Sequence, residues 1–327
     1  MSVAENASRR PVRPAALAIP ASLNTVFAAV HILANIFQFF ILPIWLLPEN
    51  HWWALTIFPL ALLNNPLWAL IHEAVHDVLH PSDAINEAAG RLLSILFGAP
   101  FQILRQTHLS HHKFNRSPFE KGTEIYRPEK VSRLKASVSY YLYIVCGLYL
   151  LEVFSAFIFF LPRKLFETVG QRLAGTGSLQ EKWLAAKFSD DTRRRQIRFD
   201  GLAIIIVFGL SALAYRHSWQ VFLYIIVMRA FLVSVMDNVY HYRTPINVTV
   251  SGYNLSAPGL VAFALLNFNL HRVHHTNPSV PWTMLPAFLH RHADTCDRNL
   301  LLAIFDQFLG PVAEDQLQGR SSGVNRN

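Results

Sequence analysis

Runs of apolar residues, several of them long enough to cross a bilayer, constrain this chain before anything else does. A helix needs about 20 mostly apolar residues to span the hydrocarbon. Leu23–Leu47, Trp52–Ile71, Gly201–Tyr215 and Trp219–Met236 are read as four spans. Pro48-Glu49-Asn50-His51 turns between the first two, and Arg216-His217-Ser218 between the last two. Trp45, Trp52, Trp53, Trp68 and Trp219 suit the membrane–water interfaces. Composition agrees: 15% of residues are charged, against about 25% in a soluble domain. Arg9, Arg10 and Arg13 precede the first run as in a signal peptide. Leu23–Leu47 is too long for a signal core, however, and no small-residue cleavage site ends it. It is expected to stay as a span, with the N-terminus in the cytoplasm. No Gly/Ser or Pro-rich linker divides the chain. The expectation is an all-α multi-pass membrane protein with four transmembrane helices. One membrane domain, 23–310, lies between polar tails 1–22 and 311–327.

The charge pattern sets the sidedness. Net charge is +8, and excess Lys and Arg in cytoplasmic loops explains it better than nucleic-acid binding. The segment Arg105–Lys135 holds eight basic residues against three acids, and Arg163–Asp200 nine against five. Both belong in the cytoplasm by the positive-inside rule. The apolar run Val138–Leu161 between them is long enough to cross. For both basic segments to share a side, it must enter and return, or lie along the interface. Cys146 and Cys296 make no disulfide framework.

The chain has fifteen histidines, and eight fall into three groups. His72 and His76 form HxxxH at the end of the second apolar run. His108, His111 and His112 form HxxHH, and His271, His274 and His275 repeat that pattern. Residues three and four apart share a helix face, so each group presents its imidazoles together. Imidazole suits Fe, Zn, Cu and Ni. A lone histidine near a membrane is usually a packing or interfacial residue; eight at this spacing are not. Catalytic zinc takes about three protein ligands and structural zinc four. Eight histidines therefore exceed what one ion needs, and two ions is the simplest answer.

The three groups, His72-Glu-Ala-Val-His76-Asp77, His108-Leu-Ser-His111-His112 and His271-Arg-Val-His274-His275, resemble in type and order the histidine boxes of the membrane-bound fatty acid desaturase family. That family includes hydroxylase and ketolase relatives. The resemblance covers roughly Leu23 to Phe308, and Asn267 through Pro278, with Pro281-Trp282, is similar to the third-box region of bacterial members. It implies four spans, a cytoplasmic histidine-rich cap and two iron ions as cofactor. It implies O₂ as co-substrate and an acyl chain or other lipid as substrate. With no fused cytochrome b5 segment visible, the implied electron donor is a separate ferredoxin or cytochrome b5. By the same resemblance His72, His76, His108, His111, His112, His271, His274 and His275 are iron ligands. His241 occupies the place of a further ligand ahead of the third box. The family often has an Asn four residues before that histidine, holding a metal through water. Here Asp237 stands at that spacing with Asn238 beside it, which leaves the role open between them.

Other residues near the boxes carry competing readings. Glu73 and Asp77 either accept a proton from a ligating imidazole or are solvated helix-end carboxylates. Asn267, four before His271, either joins that face or makes a buried hydrogen bond. His80 precedes Pro81 and reads as a loop or supporting residue. His31, His51 and His217 read as structural, and His290 and His292 as surface residues. Two rivals come from other classes. His72-Glu73-Ala74-Val75-His76 satisfies the HExxH pattern of a zinc intramembrane metalloprotease, but leaves the other six clustered histidines unexplained. A metal transporter would place its ionisable residues within the spans, whereas these sit at span ends.

Overall fold

The computed structural model of the chain describes residues 18–162, 165, 168 and 179–318. Arg9, Arg10 and Arg13, most of the basic stretch ahead of Leu179, and residues 319–327 lie outside these. Among the described residues the protein is helical, apart from two short parallel strand pairs. Helix α1 is Ala21–Glu49; α2 (His51–Ala61) and α3 (Asn64–Val75) form a pair bent by 45°. Then come α4 (Asp83–Phe97), α5 (Phe101–Phe114), α6 (Arg133–Ile158), α7 (Asp191–Ala214), α8 (Trp219–Val239), α9 (Gly259–Ala264), α10 (His271–Thr276) and α11 (Leu300–Leu309). Strand β1 (Ile125–Tyr126) pairs with β4 (Val312–Ala313), and β2 (Leu255–Ser256) with β3 (Arg298–Asn299).

Four helices, α1, α6, α7 and α8, are long and apolar enough to cross a membrane, and the bent α2–α3 pair makes a fifth if counted as one span. The bend has a local cause. Pro66 has no N–H to give the carbonyl of Leu62, four residues back, and at the same break the side chain of Asn64 donates to the carbonyl of Ala61. Pro43 has the same effect inside α1, where Phe37–Leu46 relaxes into a π-helical stretch.

Helix α6 departs from one expectation. It is continuous through the Val138–Leu161 region, with a π-helical turn at Tyr143–Gly147 and no reversal, so this run does not enter and return. Its two ends dock as follows. Near its start Tyr140 bonds Gln307 and Asn238 of the last turn of α8. Just past its other end Phe159 packs with Ile103 of α5 and Ile197 near the start of α7, and its carbonyl accepts from Arg198.

Val312–Ala313 pairs with β1, and Glu314 bonds both Lys121 and Arg127.

The core gathers α3, α4, α5 and α8 around Leu70, Phe97, Phe101 and Val239. At its centre Arg229, midway along α8, is wholly buried. It donates to Asn64 of α3, Asn35 of α1 and the carbonyls of Leu96 and Phe97 at the end of α4. Gly98 then turns the chain at φ +106°, and a Cβ there would lie 2.9 Å from the Tyr149 hydroxyl.

Candidate metal centre

Three elements deliver the boxes to one place. The end of α3 carries His72 and His76, α5 carries His108, His111 and His112, and the short α10 carries the third box. Six residues make a weak helix on their own, so α10 is held from outside. Arg272 forms ion pairs with Asp294 and Asp297, and Asn254 accepts from the Val273 N–H. His241 follows α8. Its Nδ1 lies 3.0 Å from the Ser251 carbonyl, and its own carbonyl accepts from Thr244 and from Arg116. Arg116 is buried against Glu124 at 2.6 Å, which ties the loop after the second box to His241.

The nine histidines fall into two groups, in each of which one ring nitrogen per residue lies within 4.8 Å of all the others. One holds His72, His76, His108, His112 and His274; the other holds His111, His241, His271 and His275. Hydrogen bonding among the rings does not account for the close approaches. An imidazole nitrogen offers one in-plane proton or one lone pair. Yet His241 Nε2 lies 3.0 Å from His111 Nε2 and 2.9 Å from His271 Nε2, and His271 Nε2 is also 3.1 Å from His275 Nε2. In the other group His112 Nε2 lies 2.9 Å from His108 Nε2 and 3.0 Å from His274 Nε2. Nitrogens about 2.1 Å from one ion and at right angles to each other stand about 3 Å apart, as these do. His72 adds a second sign: it is buried, and neither of its ring nitrogens has a hydrogen-bond partner. Such a group is costly to bury unless something else holds it. A metal ion in each group fits the donors present.

Burial and neighbouring histidines hold His108, His241, His271, His274 and His275 well below the usual histidine range, and push His112 down to about 3. These rings are neutral at pH 7, the form that binds metal.

The surroundings sort the residues left open by spacing. Glu73 accepts from the Trp282 N–H and Asp77 pairs with Arg105; neither supports a box histidine. Asn238 bonds Tyr140 and Gln307, away from the rings. Asn267 donates to the Trp282 carbonyl, the buried-hydrogen-bond reading. Asp237 lines a narrow cleft with Asn65, Trp68, Met236, Tyr240, Leu265 and Phe268. Two of those aromatics touch the centre: Phe268 lies 4.7 Å from the His72 ring and Tyr240 4.8 Å from His271, centroid to centroid. His80 accepts from Ser82 in a loop, and His51, His217, His290 and His292 are exposed. HExxH chemistry is poorly served, because Glu73 is committed to Trp282 and His72 and His76 converge with three further histidines.

Sequence reading missed two residues. Arg116 is one; the other is Glu120, whose Oε1 lies 2.6 Å from His111 Nδ1. The pairing puts the proton on Nδ1 and leaves Nε2 free to face the group. Such carboxylates typically contribute about 10–100-fold to metal affinity. Glu120→Gln should therefore lose metal to a chelator at roughly that much lower chelator concentration. Unchanged retention would show that Glu120 merely neighbours the site. Their only sequence signal is four-residue spacing, as Arg116, Glu120 and Glu124 follow His112 in steps of four.

Fold and site together define a helical membrane protein with paired histidine clusters suited to metal. A family model described as fatty acid desaturase matches residues 50–306. That is most of the chain, which belongs to the fatty acid desaturase family, of the histidine-box di-iron superfamily, and is an oxidoreductase. Among curated proteins none matches the chain.

Proposed function

We propose that the protein is an O₂-dependent di-iron desaturase that introduces a double bond into an acyl chain. The observation that carries this is the convergence of nine histidines into groups of five and four. His72, His76, His108, His112 and His274 would hold one iron, and His111, His241, His271 and His275 the other. When bound, the irons supply the O₂ activation needed to attack an unactivated methylene. The chain's own residues do the rest. Trp68, Tyr240 and Phe268 wall the cleft beside the histidines, exclude water and hold a methylene there. Removal of two hydrogens leaves the alkene, and with two electrons and two protons those hydrogens reduce O₂ to two waters. Electrons come from a separate ferredoxin or cytochrome b5.

The boxes and both chain ends face the cytoplasm in this reading, with α1, the α2–α3 pair, α7 and α8 as the four crossings. Helix α6 lies along the interface. This is supported by its contacts: one end meets the last turn of α8 beside His241, the other meets α5, which carries the second box. The basic stretches on either side of α6 then share the cytoplasmic face, as the positive-inside rule asks.

Expression in a host with simple lipids tests the reaction. Lipid mass spectra should show chains lighter by two hydrogens only when the protein is present. A gain of one oxygen atom would make it a hydroxylase of the same superfamily. Elemental analysis of the purified protein should find two irons per chain; one zinc and no iron would overturn the di-iron reading.

A further inference from the structure

The pairing of β2 with β3 has a consequence outside the metal centre. The two strands run parallel, with Leu255 opposite Arg298. Each is followed closely by a short apolar helix, α9 after β2 and α11 after β3. Helix α11 turns Leu300, Ala303 and Gln307 inward, and all three are buried. Its outer face is apolar as well: Leu301, Leu302, Phe305 and Leu309 are each 60–62% exposed. Helix α9 has no charged residue, and Leu260 at its start is 81% exposed. The one charged residue of α11, Asp306, is paired with Arg298 at 2.8 Å. A helix with a wide exposed apolar face is not built to face water, and contiguous exposed apolar surface marks an interaction site.

Contacts with the spans say what covers these faces. Phe263 of α9 packs at a tilt against Phe27, 5.6 Å between ring centroids, six residues into α1. Gln307 of α11 bonds the carbonyl of Val235, four residues before the end of α8. At about 1.5 Å rise per residue these points lie roughly 6–9 Å inside the span ends. In-plane helices bury their apolar face to about 5–10 Å. The outer faces of α9 and α11 thus continue the lipid-facing surface of α1 and α8. At the end of α9, Leu265 lines the cleft that runs to Trp68 and Phe268 beside His72.

We propose that α9 and α11 lie in the bilayer plane as monotopic helices. They form a lipid-covered lip through which a chain resident in the bilayer reaches the cleft. The substrate is then a membrane-dissolved lipid, entering sideways, and not a soluble thioester. The placement of the helices stands by itself; the substrate class rests on the desaturase reading.

Two measurements test it. Spin labels at Leu260→Cys and Leu302→Cys, in a Cys146→Ser/Cys296→Ser background, are compared in phosphatidylcholine vesicles. Leu33→Cys on α1 serves as lipid reference and Lys130→Cys as water reference. Collision with O₂ should dominate at Leu260 and Leu302, as at Leu33. Dominant collision with a water-soluble nickel chelate, as at Lys130, overturns the placement and leaves the faces to a protein partner. In the second, Leu260→Glu with Leu302→Glu should slow oxidation of vesicle phospholipid chains at least about ten-fold, with iron per chain unchanged. An unchanged rate overturns sideways entry. If the unmodified protein oxidises a soluble acyl thioester but no vesicle lipid chain, sideways entry is overturned; if it oxidises neither, the desaturase reading fails while the spin-label result still decides the lip.

Discussion

His241→Ala is expected to abolish turnover and lower bound iron while the protein still inserts into membranes. His241 lies outside every box, 30 residues before His271. Its ring nevertheless sits between His111 and His271, with Nε2 3.0 and 2.9 Å from theirs. Removing it leaves three histidines in the smaller group. Loss of a supporting residue typically costs about 10–100-fold in affinity or activity, and loss of a ligand should cost at least that. Iron per chain and lipid oxidation are measured side by side. His217→Ala, in the exposed turn before α8, should change neither. Full iron and near-normal turnover in His241→Ala would remove it from the ligand set and leave only the eight box histidines.

Arg229→Met should give the largest loss of stability. Its guanidinium serves Asn64, Asn35 and two carbonyls at the end of α4, with Phe39 stacked 5.2 Å from its centre. No carboxylate is among these partners. The negative end of the α4 dipole and amide oxygens satisfy it instead. Methionine fills much of the volume but leaves those acceptors buried and unpaired, at about 1–3 kcal/mol each. The sum of several such losses should lower the apparent unfolding temperature by roughly 10 °C or more. Lysine should rescue poorly, because it lacks the planar fork that reaches three helices at once. Thermal unfolding in detergent, followed by intrinsic fluorescence, decides it. An unchanged midpoint would mean that water or lipid replaces the lost donors.

Much of this was legible in the chain itself. Hydrophobic runs place α1, α8 and the end of α7 within a few residues, because an apolar helix of spanning length has few other places to go; α7 itself begins at Asp191, ahead of the expected Gly201. The box spacing shows that His72 and His76, or His271, His274 and His275, share a face, because helix geometry is local. Eight such histidines imply more than one ion on ligand number alone. The family resemblance adds iron, O₂ and a place for His241.

Tertiary structure decided what local rules leave degenerate. The boxes do not divide into sites box by box: His274 joins His72 and His76, while its neighbour His275 joins His241. That partition depends on how α10 docks, which Arg272, Asp294 and Asp297 settle across more than twenty residues of chain. The same holds for carboxylates. Glu73 and Asp77 sit inside or beside the first box, yet Glu120, outside any box, is the one against His111. Asp237 and Asn238 are adjacent in sequence, and a helix turns adjacent residues about 100° apart; packing alone turned Asp237 to the cleft and Asn238 to Tyr140. Span length by itself does not say whether α6 crosses, since an apolar run of that length can span or lie against its neighbours; what the fold adds is where its ends dock. Its contacts at both ends are long-range, and so are those of Arg229: hydropathy reads Arg229 as a blemish in a span, whereas the fold makes it the point where α1, α3, α4 and α8 meet.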